Sequence, residues 1–246
     1  MNIRRPVQSI KVYNWLDIIQ KHLLPATCIL CNNPGHAGRD LCDICYQDLP
    51  RVVLCCQRCA ESLETPSTWP MLCGRCLSHP PAYDRTYAPF IYQGVIRHWI
   101  TTLKFGANYK NARLLGQLLA EHLHDTAEQP DCIIPIPLHP SRYRERGFNQ
   151  AVILAREIAR RFSIPLDFLT LKRLVFTAPQ VNLGKDERSA NVRGAFVVKN
   201  GEKIEGRKII LVDDVYTTGS TVKECTRALM MHGAAEVVVL TLARAV

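Results

Sequence analysis

Apolar positions change rhythm along this chain. In the second half they come in short solid runs: Asp131–Ile136 (DCIIPI), Arg207–Val212 and Glu236–Arg244 (EVVVLTLAR) are rich in successive aliphatic residues. That is the pattern of strands buried on both faces. Between them, apolar residues recur three and four apart. Leu114, Leu115, Leu118, Leu119 and Leu123 predict a buried helix face from Asn111 onward. Ala151, Val152, Ala155, Ile158, Ala159 and Phe162 predict a helix opening at Asn149 or Gln150, and Val222, Cys225, Ala228 and Leu229 predict one over Thr221 to His232, ended by Gly233. Strand, helix and strand in that order make a parallel crossover unit, and such units take ligands at the carboxyl ends of their strands. The expected fold class is α/β, a parallel sheet flanked by helices.

The first third follows another rule. Nine of the eleven cysteines lie between Cys28 and Cys76, and eight form CxxC pairs: Cys28/Cys31, Cys42/Cys45, Cys56/Cys59 and Cys73/Cys76. Ten residues separate the two pairs of the first set and thirteen those of the second. A CxxC turn presents two thiolates to a tetrahedral ion and a second turn closes the site, so these spans predict zinc ribbons. Two zinc ions with four cysteines each is the economical assignment; one ion, or pairing across the sets, stays open, as does Cys55 in place of Cys56. Four protein ligands leave no position for substrate, so the sites are expected to be structural.

Ahead of the cysteines, Trp15, Ile18, Ile19 and Leu23 share one face of an expected amphipathic helix, and Lys11, Asp17, Gln20 and Lys21 interrupt any signal-peptide core. After them, alternation around Tyr87, Phe90 and Tyr92 marks the entry to a second domain. The expected organisation is a helix over 1–25, a ribbon domain, double on this reading, over 26–80, and an α/β domain over 81–246. No run approaches the length of a membrane span. Many thiols without a secretory signal point to a cytoplasmic protein. Lysine and arginine exceed acids by 31 to 22, a formal net charge of +9, which favours polyanionic partners.

The densest chemistry is IILVDDVYTTGST, Ile209 to Thr221. Asp213 and Asp214 end the apolar run, and Thr217, Thr218, Gly219, Ser220 and Thr221 lead into a helix start. Free amides, hydroxyls and the positive helix end cradle a phosphate, with Gly219 letting the backbone come close. Paired carboxylates repel phosphate itself, so their expected partners are sugar hydroxyls or Mg²⁺. Neither GxxxxGK[ST] nor GxGxxG occurs in this region. Upstream, PLHPSRYRERGFNQ is read as a basic loop at the same sheet edge, with Arg142, Arg144 and Arg146 suited to pyrophosphate by their forked donors.

Two resemblances sharpen this. Asp213-Asp214 with Val215, Tyr216 and Thr217-Thr218-Gly219-Ser220-Thr221 resembles the phosphoribosyl-pyrophosphate (PRPP) motif of type I phosphoribosyltransferases, in which Tyr216 stands at a variable position. The likeness implies that the acids hold the ribose 2′ and 3′ hydroxyls and the following turn the 5′-phosphate. Pro135, Pro137, Leu138, His139, Arg142, Arg146, Gly147, Phe148, Asn149 and Gln150 resemble the ComF/GntX family, associated with DNA uptake and natural competence. A later segment agrees at Arg173, Thr177, Gln180, Leu183, Arg188, Asn191, Gly194 and Phe196, and Leu103–Phe105 agrees as well.

The likeness implies a mobile flap over Thr177 to Asn191, with a tip at Gly184, Lys185 and Asp186. It also implies pyrophosphate on Arg142, Arg146 and Arg188, with Lys104 on the anion or acceptor side. As a Mg²⁺-dependent phosphoribosyltransferase, the protein would use Asp213, Asp214 and Arg146 as its reacting-centre residues. The competing reading is a module that senses PRPP or binds single-stranded DNA without turnover, with Tyr143 and Phe148 as stacking rings. A third is a scaffold for the competence ATPase and DNA-processing proteins.

Overall fold

In the computed structural model the residues described are 25–64, 71–106, 109–125, 130–175 and 194–245. Residues 1–24 of the expected helix and the flap over Thr177–Asn191 therefore lie outside them, Arg188 included. By compactness the chain divides after Leu49. The first cysteine set occupies one unit, and the second shares a unit with the sheet.

In the first unit, the short helix α1 (Asp43–Gln47) begins on Cys42, whose Sγ accepts from the amide of Cys45. Its counterpart in the second unit is α2 (Gly74–Ser78), which begins on Cys73. There follow β1 (Arg85–Tyr87), β2 (Phe90–Ile91), α3 (Gly94–Gly106), α4 (Tyr109–Glu121), β3 (Cys132–Pro135), α5 (Pro140–Arg146), α6 (Gln150–Phe162), β4 (Leu171–Arg173), β5 (Phe196–Val198), β6 (Lys208–Tyr216), α7 (Ser220–Met231) and β7 (Glu236–Arg244).

The main sheet runs β1-β7-β6-β3, with β2 also on β7, and every pairing in it is parallel. β4 and β5 form a separate antiparallel pair. Alternating side chains divide β6 between two layers. Ile209 and Leu211 join a core with Val222, Cys225 and Leu229 of α7, Leu171 of β4 and Phe196 of β5. α6 packs on β3 and β6, and against α4.

The expected strands and helices appear, with three informative differences. β6 does not stop at Val212 but continues through both acids to Tyr216, paired with β7 as far as Arg244. Neighbouring acids on a strand point to opposite faces, which separates two charges that adjacency alone would crowd. In α6 the buried face is Ala151, Leu154, Ala155 and Ile158, so Leu154 goes inward while Val152, Ala159 and Phe162 sit at its margins. The basic segment after Pro137 is a helix, α5, and not a loop. Pro140 stands in its first turn, where no amide partner is needed, His139 Nδ1 accepts from the Ser141 amide, and Gly147 closes it at φ +79°.

Candidate functional site

Two parallel strands, β3 and β6, deliver the site residues at their carboxyl ends. β6 carries Asp213 and Asp214, and β3 leads through Pro137 into α5 with its arginines. Asn149 ties the return: its Nδ2 donates to the Ile136 carbonyl at 2.9 Å, while its Oδ1 accepts from the Ala151 amide at 3.0 Å and so caps α6.

The acids have different surroundings. Asp214 is 4% exposed, and its Oδ2 lies 2.7 Å from Lys104 Nζ at the end of α3. Burial alone would lower the Lys104 pKa, but attraction to Asp214 and Asp213 outweighs it and holds the ammonium charged. Asp213 is half-buried, and its Oδ1 accepts from the Asp214 amide at 2.9 Å. Burial, then repulsion from Asp214, pushes its pKa up to about 7 against the pull of Lys104 and Arg173.

Arg146 donates from Nη1 to Gln150 Oε1 at 2.7 Å and stands 5.4 Å from the centroid of the Phe105 ring, which is 75% exposed. Burial and Arg142 work against its charge, while Asp214 favours it. Lys104, Phe105, Arg146 and Asp214 are thus brought to one place from α3, α5 and β6. Phe148, in contrast, is buried and unavailable as a stacking ring, whereas Tyr143 is exposed.

Beyond Tyr216 the chain turns sharply. Gly219 has φ +77°, and a Cβ there would stand 2.1 Å from Tyr216 Oη, so both backbone angle and space require glycine. Thr218 Oγ1 and Ser220 Oγ are 2.9 Å apart, and the Ser220 amide donates to Thr218 Oγ1 at 3.4 Å. α7 then begins with no acid in its first turn to neutralise its positive end. Tyr216 is buried against Tyr83, their hydroxyls 2.6 Å apart. At this position only the main chain is offered to a ligand.

Sequence reasoning gave Arg173 no role. It is buried on β4 with its guanidinium over Phe196, and burial and Arg142 depress its pKa while Cys225 and Asp213 oppose that. Its match to the family segment was the available signal. Nothing in the sequence marked Glu61, Tyr83 or Arg244, whose contacts with this region depend on folding.

The cysteines sort within their sets, Cys28, Cys31, Cys42 and Cys45 in one cluster and Cys56, Cys59, Cys73 and Cys76 in the other, each with all four sulfurs within 4.8 Å of one another. Cys55 is outside, bridged through its backbone to Ser62. Tetrahedral bonds of roughly 2.3 Å to zinc imply sulfur edges of about 3.8 Å. Cys31 to Cys42 and Cys59 to Cys73 are both 3.6 Å, so the donor sets fit. At Cys28 backbone amides outweigh burial and bring the pKa down to about 6, and at Cys56 they also lower it, whereas burial raises Cys59 and Cys76 and the neighbouring thiols raise Cys45.

The join of β6 to α7 defines a class: an acid-tipped parallel strand passing through a hydroxyl-rich turn into a helix start is the phosphoribosyltransferase arrangement. Residues 106–245 match the phosphoribosyl transferase domain and residues 19–77 the double zinc ribbon domain. The chain belongs to the ComF/GntX family. It is 33% identical to the DNA utilization protein YhgH of Salmonella typhimurium, over 90% of this chain and 98% of that one. It is 32% identical to competence protein F of Haemophilus influenzae, over 89% and 96%, and 31% identical to competence protein ComFC of Streptococcus pneumoniae, over 64% and 67%. Among the described residues no helix is long and apolar enough to cross a membrane.

Proposed function

We propose that this protein binds PRPP with Mg²⁺ and transfers its phosphoribosyl group to an acceptor, in the handling of DNA that the names of its relatives describe. The observation that carries the reading is the acid pair at the end of β6 running through the Gly219 turn into the start of α7. The 5′-phosphate would meet the amides and hydroxyls of Thr217–Thr221, and the ribose hydroxyls would donate to Asp213 and Asp214.

Lys104 answers the main objection to acids beside a phosphate. Its ammonium sits on Asp214, so the site meets an anion with the carboxylate charge already countered. The pyrophosphate arm would be held by Arg142 and Arg146, with Arg188 as a third fork. The oxygen donors of Asp213 and of the ligand suit a hard divalent cation, and Mg²⁺ bound there would disperse charge on the departing pyrophosphate. As the C1–oxygen bond stretches, Asp213 and Asp214 stand near the growing positive charge on the sugar and Arg146 near the leaving group, so positioning and electrostatics would carry the rate. The cysteine clusters would each hold a structural zinc ion, and the cytoplasm is the expected compartment.

Calorimetry with PRPP, with and without Mg²⁺, tests this. Wild type is expected to bind at least tenfold more tightly than the Asp213→Asn/Asp214→Asn double variant, a difference of about 1.4 kcal/mol. Equal binding by the two would remove the ribose-phosphate reading.

A further inference from the structure

Arg244, buried at the end of β7, acts in two directions. Nη1 donates to the main-chain carbonyls of Thr217 at 2.8 Å and Tyr216 at 3.3 Å, and the guanidinium lies 4.9 Å from the centroid of the Tyr216 ring. A trans peptide points its carbonyl and the next amide in opposite directions. Holding these two carbonyls therefore turns the amides of Thr217 and Thr218 away from Arg244.

Nη2 of the same guanidinium pairs with Glu61. Glu61 Oε2 also accepts from Arg75 Nη2 at 3.3 Å, and that nitrogen lies 3.8 Å from Cys59 Sγ. Arg75 stands between Cys73 and Cys76, and Glu61 two residues beyond Cys59, so both side chains ride on turns that the cluster shapes. A second link runs beside the first. Tyr83 Oη is 2.6 Å from Tyr216 Oη, the atom over which Gly219 makes its turn. Cys56, Cys59 and Cys76 share one core with Tyr83 and Tyr216, so the cluster and the turn are joined by packing as well as by charge.

We propose that the second cysteine cluster, metal-loaded, is a positioning element of the sugar-phosphate turn, acting through Glu61–Arg244 and Tyr83–Tyr216. Metal on Cys56, Cys59, Cys73 and Cys76 and a sugar phosphate at Thr217–Thr221 each favour the other's site. The inference rests on the reading above. Its physical core is that a buried guanidinium needs its carboxylate. When the cluster loosens, Glu61 and Arg75 lose their fixed places, Arg244 loses its counter-charge, and the Thr217 carbonyl loses its donor, while the Tyr216 carbonyl keeps the Ala245 amide at 2.9 Å. Coupling of this kind is reciprocal.

The test uses full-length zinc-loaded protein. Zinc transfer to a chromophoric chelator is followed with and without saturating PRPP and Mg²⁺, in wild type and in a Glu61→Gln/Tyr83→Phe double variant, with PRPP affinity measured on the same samples. In wild type PRPP is expected to slow the loss of one of the two zinc ions at least fivefold, and in the double variant the slowing should fall below twofold. Unchanged zinc loss in wild type that demonstrably binds PRPP overturns the coupling and leaves the functional proposal standing. Equal slowing in both proteins overturns the assignment to these residues. Wild type that does not bind PRPP overturns the functional proposal itself. Hydrogen exchange at the Thr218–Ser220 amides gives a second readout: it should quicken in the double variant, and identical exchange in the two proteins counts against the coupling.

Discussion

Asp213 is the residue whose charge most depends on the fold. Burial and Asp214 raise its pKa to about 7, from about 3.9 in an unfolded chain. For a carboxylate raised on folding, the stabilising contribution is complete below the unfolded value and is lost as pH climbs through the folded one. Stability should therefore decline between about pH 4 and about pH 7, the unfolded and folded values, in wild type relative to Asp213→Asn, in which the carboxylate is gone; superimposable urea midpoints across that range would contradict this environment. The motif around Asp213 was legible because short spacing carries it. Lys104 on Asp214 was not, because α3 and β6 meet only in three dimensions and a lone lysine reads as surface.

At the scale of elements, patterning served best where burial alone sets the pattern. β7 occupies Glu236–Arg244, the bounds its aliphatic run predicts. α5 reads as a loop because Pro137 just ahead of it, its own Pro140 and its repeated charges mimic one, and only the His139 cap and the Gly147 stop reveal a helix. The joint between these regions is Asn149, which caps α6 and also binds the last carbonyl before the basic segment. Asn149→Ala should cost about 1–2 kcal/mol in urea unfolding, through the lost cap and the unmet carbonyl. A change below roughly 0.5 kcal/mol, the usual scale of surface substitutions, would show that neither bond matters.

For the whole molecule, four CxxC pairs announced two metal clusters but not how they divide. The sequence reads as a ribbon region over 26–80 followed by an α/β region, whereas compactness separates the chain after Leu49. Cys56, Cys59 and Cys76 share a core with Ile209, Leu211 and Val239 of the sheet, a partnership that no local spacing encodes. The two clusters should accordingly fail differently. Cys76→Ser should lower the main thermal transition markedly, by about 5 °C or more, while Cys31→Ser leaves it nearly unmoved. Equal effects in scanning calorimetry would mean that the second cluster is no part of the sheet's stability.

β7 also bears on how the molecule is made. It is the latest strand in the sequence, yet it lies between β1 and β6. While β7 is still to be synthesised, β1 and β6 each present an unpaired edge that it alone covers among the described strands, and such edges attract other chains. Until β7 has been made and inserted, the sheet of this protein is therefore split into two halves with exposed edges.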